Sequence, residues 1–147
     1  MADTPEPNPL KLLGRVARGF TRIVDGGLRE LGLAAGQLPV LVSLKKSKAL
    51  SQAELARIAQ VEQPSMAQLL ARMERDGLVE RVDDPEDKRS RLISLTPLAA
   101  KRLPKAKLLM DAHVEKALAD FSPEEVEQLT ALLLRVDANV ERLGGGG

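Results

Sequence analysis

The chain has 147 residues, 44% of them hydrophobic and 29% charged, which suits a single globular domain with a core of its own. It has no cysteine, tryptophan or tyrosine and only two phenylalanines, so disulfides, thiolate metal sites and thiol-oxidation switches are excluded and the core falls to aliphatic side chains. The net charge of +1 conceals an uneven distribution: from Gln37 to Lys107 there are 14 Lys and Arg against 9 Asp and Glu, a balance of +5 that leaves −4 for the two ends.

Residues 1–9 are polar and rich in proline, which predicts a loose arm. They lack the basic-then-apolar order of a signal peptide, and the chain has no apolar run of roughly eighteen residues, so a cytoplasmic protein with no membrane partner is expected. From Leu10, the recurrence of Leu13, Ala17, Phe20, Val24 and Leu31 predicts an amphipathic helix over about 10–34, with Gly26 and Gly27 expected to bend or fray its end. Arg15, Arg18 and Arg22 on this helix form a basic face, either solvated or turned to an anion. A second helix is expected from Ala35 to Leu44, apolar nearly all round and so buried. Lys45, Lys46 and Lys48 after it are either a solvated linker or a phosphate contact.

Ser51 and Glu54 have capping-box spacing and predict a third helix, with Leu55, Ile58 and Ala59 as its apolar stripe and Gln60-Val61 as a turn. A fourth runs from Gln63 to Asp76, with Met66, Leu69, Leu70 and Met73 inward and Gly77 at its end. Leu78 to Val82 and Leu92 to Leu95 then read as paired strands around a charged tip that must meet water or a partner, because burying unpaired charge is costly. Two helices and a hairpin make a winged helix-turn-helix. The fold class is therefore mainly α with a small β-hairpin wing.

In such a fold the start of the second helix enters the major groove of DNA, so Gln63, Pro64, Ser65, Met66 and Gln68 are candidates there, with Arg72 toward phosphate. On the wing, Arg89 suits a narrow minor groove, Asp87 is expected to pair with it and hold it extended, and Lys88 and Arg91 fall near phosphates. The acidic residues of the tip sit among basic ones without calcium-loop spacing, so no metal is expected.

After the wing, Thr96-Pro97 is a helix start, and the helix that follows should kink at Pro104. Ser122 and Glu125 form a second capping box, opening a helix with Val126, Leu129, Leu132, Leu133, Val136, Val140 and Leu143 along one stripe. A small domain has little core left to receive that stripe. Leu10, Leu13, Leu129, Leu132, Leu133, Val136 and Val140 are therefore expected at a dimer interface, and Gly144 to Gly147 as a flexible tail. His113 is the only histidine, and no glycine-rich phosphate loop exists, so neither an enzyme nor a cofactor is expected.

The wing DDPEDKRSRLISLT, preceded by ERDGLVER and followed by a proline and a helix, resembles that of the multiple-antibiotic-resistance regulator (MarR) family of prokaryotic transcription factors. The family pattern of Asp, one residue, Arg and a hydrophobic strand ending in Leu-Thr falls on Asp87, Arg89 and Leu95-Thr96, and the similarity runs from about Leu10 to Leu143. It implies a winged domain over about 37–96 between dimerisation helices over about 10–34 and 97–143. It further implies a homodimeric regulator, in general a repressor, of pseudo-palindromic double-stranded DNA, with a small aromatic or anionic effector held between those parts. The chain departs from the family where Gln68 replaces a frequent arginine and Gln60 a frequent glycine.

Overall fold

Asn8 caps the first helix: its side-chain oxygen accepts the Leu10 N–H at 2.9 Å, and Pro9, with no N–H to leave orphaned, takes the first helical position. The computed structural model describes residues 8–145, so the expected arm lies outside it except for Asn8 and Pro9, as do Gly146 and Gly147. Helix α1 spans Pro9–Leu28 and passes over Gly26 and Gly27 without fraying. Gly27 has a packing role, since a Cβ there would stand 2.6 Å from Cδ1 of Leu109. The helix then tightens into a 3-10 turn, Arg29–Leu31, and is released at Gly32, whose φ of +71° a side chain would resist.

A second 3-10 turn, Ala35–Gln37, leads into α2, Leu38–Ser47, so the regular helix starts later and ends later than the sequence suggested. Gln37 is buried without penalty because its Oε1 accepts the Ala34 N–H at 2.9 Å. Val40, Leu41 and Leu44 are buried, but Val42 is 55% exposed, which corrects the expectation of burial all round. A short strand β1, Ala49–Leu50, precedes α3, Gln52–Ala59, and α4, Gln63–Arg75. The hairpin follows as β2, Val79–Asp84, and β3, Asp87–Leu95, and then α5, Pro97–Ala117, which continues through Pro104.

The three strands form an antiparallel sheet in the order β1, β3, β2, with Leu50 opposite Ile93 and Arg81 opposite Ile93 from the other side. Ile93 is thus central and 1% exposed. Around it, Leu28, Leu41, Leu44, Leu55, Met66, Leu70, Met73 and Leu78 are fully buried, and α5 adds Ala99, Leu103 and Ala106.

Internal contacts divide the chain into two units, one ending at Met110 and the other beginning at Asp111. The second unit holds the end of α5 and helix α6, Pro123–Gly145. Its start is a closed capping box, in which Ser122 N–H donates to Glu125 at 2.9 Å and Glu125 N–H to the Ser122 hydroxyl at 3.1 Å. No residue of α6 is buried, and Gly144 and Gly145 complete the helix where a tail was expected.

Candidate nucleic-acid interface

The helix-turn-helix is fixed at its first corner by a local exchange: the Ser51 hydroxyl accepts the Glu54 N–H at 3.1 Å, and Glu54 Oε1 accepts the Ser51 N–H at 3.0 Å. These bonds, led by the one from the Ser51 backbone and aided by the nearby Arg57 charge, hold the Glu54 carboxyl below its ordinary value of 4.5. The turn closes at Gln60, which sits in the left-handed region at φ 57° and ψ 45°. A residue with a Cβ bears roughly 1–2 kcal/mol of strain there, so the turn has the geometry of a glycine corner occupied by glutamine.

Helix α4 divides cleanly. Met66, Leu70 and Met73 are each 0% exposed, while Pro64, Ser65, Gln68 and Arg72 lie exposed on the opposite side. Met66 is therefore corrected from a groove-facing candidate to a core residue: helical period places it with Leu70 and Met73, and its side chain has no route to solvent. Gln63, at the tip, points toward α3 and accepts a hydrogen bond from Gln52 Nε2 at 3.2 Å. Gln52 was not singled out from the sequence. Its only signal was its place as the first residue of α3, which a helix-turn-helix brings near the first residue of α4.

The far end of α4 is tied to the wing. Asp76 ends the helix, Gly77 turns the chain at φ +76°, and the Leu78 N–H returns to the Met73 carbonyl at 2.9 Å. The Thr96 hydroxyl donates to the Gly77 carbonyl at 2.6 Å and accepts the Ala99 N–H at 3.2 Å. One side chain thus links the end of α4 to the start of α5.

The wing pairs further than expected, closing in a turn at Pro85-Glu86. The register passes from Asp83 opposite Arg91 to Asp84 opposite Asp87, so Lys88, Arg89 and Ser90 have no partner on β2 and form a bulge. Asp87 holds that bulge: its carboxylate accepts the Arg89 N–H at 3.0 Å and the Ser90 hydroxyl at 3.1 Å. Its contact with the Arg89 guanidinium is looser, at 4.0 Å, and the Arg89 side chain is 95% exposed. The expected pairing therefore acts mainly through the backbone. Arg91 stands 3.7 Å from Asp83, and Arg81 stands 3.4 Å from Glu74 on α4. Lys88 is exposed beside them.

A cleft of about 830 Å³ opens among α1, α2 and the first part of α5. Phe20, Val24, Leu38, Val42, Leu103 and Met110 line it, together with Lys45, Lys46 and Lys107. The arginines of α1 do not line this cleft; Arg18 and Arg22 border a separate, smaller depression with Asp25. The proposed dimerisation residues are exposed or half-buried in the single chain, from Leu133 at 37% to Leu10 at 55% among the exposed ones. No helix among the described residues is long and apolar enough to cross a membrane.

A helix pair with a left-handed corner, an exposed polar face on the second helix and a hairpin carrying a bulged arginine define a winged helix-turn-helix protein. The family model "MarR family" matches residues 31–90. The solved transcriptional regulator PA3341 is 31% identical, with 92% of this chain and 99% of that one covered and a TM-score of 0.78. A mutant MarR from E. coli, solved in complex with operator DNA, is 27% identical over 86% of this chain and 91% of its own, with a TM-score of 0.79. The helix-turn-helix-type transcriptional regulator YybA of Bacillus subtilis is 29% identical over 90% of this chain and 89% of its own length. The chain belongs to the MarR family of transcriptional regulators, whose members are not enzymes.

Proposed function

We propose that this regulator is a homodimeric, sequence-specific repressor that binds a pseudo-palindromic duplex in the cytoplasm. The observation that carries the reading is Arg89, its side chain 95% exposed on a bulge whose backbone Asp87 fixes, on the same compact unit as the polar face of α4. In this reading Gln63, Pro64, Ser65, Gln68 and Arg72 approach the major groove and Arg89 the flanking minor groove, with Lys88 and Arg91 near phosphates. The related MarR solved in complex with operator DNA supports DNA as the partner of this chain. Two-fold symmetry then requires half-sites about 10 base pairs apart. A dimer seated on both excludes other proteins from that stretch, which favours repression. The domain division follows the same logic, with the winged part over about 37–96 and dimerisation through helices over about 10–34 and 97–143.

The cleft supports an effector with an apolar, aromatic body and an anionic head, because its walls are aliphatic and aromatic while Lys45, Lys46 and Lys107 supply positive charge. Such a ligand releases DNA only as far as it prefers a dimer whose recognition helices are wrongly spaced. The direct test is selection of tight binders from random duplex DNA at a stated salt near physiological. An enriched inverted repeat with the required spacing, lost in Arg89→Ala, is the expected result. Salt-sensitive general binding without a motif, from ligand-free protein, overturns the sequence-specific reading.

A further inference from the structure

We infer that Gln52 is a positioning residue for base reading: its amide fixes that of Gln63, so that the pair, rather than Gln63 alone, selects an A·T base pair at one position of each half-site. The inference rests on the DNA-binding reading above and concerns a residue that reading does not use. Gln52 and Gln63 are the first residues of α3 and α4, and the only bond between their side chains runs from Gln52 Nε2 to Gln63 Oε1 at 3.2 Å. Both backbones are already fixed, Gln52 by the closed box between Ser51 and Glu54 and Gln63 by Pro64 in the first turn.

The terminal torsion of a free glutamine is broad, so its amide presents oxygen or nitrogen outward with little preference. An amide oxygen has two lone pairs and an amide nitrogen two donors. With one lone pair of Gln63 Oε1 engaged by Gln52, the second lone pair and the Nε2 donors stay available side by side. That is the complement of the adenine major-groove edge, which offers the N6 donor beside the N7 acceptor. Side chains lean toward the N-terminus of their helix, so the first residue of α4 extends beyond the helix tip, where a base edge meets it. Gln52 thereby holds the Gln63 amide in place at the helix tip before DNA arrives, as donor to its oxygen.

The test is the same random-duplex selection run in parallel on wild type, Gln63→Ala and Gln52→Leu, followed by titration of the selected duplex with 7-deazaadenine at the position affected. Wild type is expected to prefer adenine there by roughly 5- to 150-fold, the range of a good bidentate contact. Gln63→Ala erases that preference and becomes insensitive to 7-deazaadenine. Gln52→Leu is expected to reduce it by about 3- to 10-fold, the size of one hydrogen bond, with the loss confined to that position. A Gln52→Leu motif identical to wild type where Gln63→Ala changes it overturns the inference alone. So does a uniform loss across all positions, which marks a merely structural role, or a Gln63-dependent position that is not A·T. Failure of wild type to select any motif overturns the DNA-binding reading, and the inference with it.

Discussion

Asp87 holds the backbone of Arg89 more closely than its side chain, with the carboxylate 3.0 Å from the Arg89 amide nitrogen and 4.0 Å from the guanidinium. The two contacts make different predictions. An exposed ion pair is worth about 0–1 kcal/mol, whereas an acceptor that closes a bulge governs where the arginine starts from. Arg89→Ala is expected to weaken operator binding by about 1–3 kcal/mol per half-site. Asp87→Asn retains the acceptor and should lose less than about 0.5 kcal/mol, while Asp87→Ala should lose about 1 kcal/mol. Fluorescence anisotropy on a labelled operator, at one salt concentration, measures all three. An Asn variant as weak as the Ala variant would show that charge, not the backbone bond, is what matters.

Glu54 gives a pH signature. Its folded pKa lies below the ordinary 4.5 because Ser51 donates to its ionised form and Arg57 stands nearby. A depressed carboxyl contributes stability that is present above the unfolded value and is lost as pH falls through the folded value. The difference in melting temperature between wild type and Glu54→Ala should therefore be largest near neutrality. It should shrink as pH drops from about 4.5 downward, where the carboxylate takes up its proton. A difference that is constant from pH 7 to pH 3 would mean that the capping contact is indifferent to charge.

Thr96 joins the end of α4 to the start of α5 with one hydroxyl, as donor to Gly77 and acceptor from Ala99. Thr96→Val keeps the shape and removes both bonds, leaving the Gly77 carbonyl and one helix-start N–H without that partner. Loss of a cap and of a part-buried bond predicts about 1–3 kcal/mol of destabilisation in urea unfolding. Thr96→Ser, which retains the hydroxyl, should recover most of it. A Val variant as stable as wild type would show that the two hydroxyl bonds contribute nothing.

What the sequence made legible was mostly local. Both capping boxes are spaced i to i+3, and both close as expected, at Ser51 with Glu54 and at Ser122 with Glu125. The helix-turn-helix, the wing and the family followed from such short-range patterns. Met66 met two conflicting rules, nearness to the recognition tip and helical period, and period won because burial acts on a whole face. Val42 shows the opposite failure, since an almost wholly apolar helix has no period to say which side stays open. β1 is two residues long and exists only because β3 has a free edge to receive it. The bulge at Lys88 to Ser90 and the Gln52 to Gln63 bond depend on register and on distance in space, neither of which one strand or helix records.

Helix α6 is the element least accounted for by a single chain. It runs for 23 residues without one buried side chain, yet Leu129, Leu132, Leu133, Val136 and Val140 repeat at helical steps along it. A second copy of the chain is the partner we propose. Burying a leucine side chain contributes about 1.5–3 kcal/mol, and each change in a symmetric dimer is made twice. Leu132 and Leu133 are 48% and 37% exposed in the single chain, so the double variant Leu132→Asp with Leu133→Asp should weaken association by about 3 kcal/mol, roughly two decades in dissociation constant. Sedimentation equilibrium at micromolar concentration should find wild type dimeric and the variant monomeric, with helix content near wild type in the winged part. Operator affinity should fall with it, because two half-sites are then bound independently. Wild-type protein that sediments as a monomer, or a double variant that stays dimeric, would remove α6 from the interface and leave its apolar stripe to another partner.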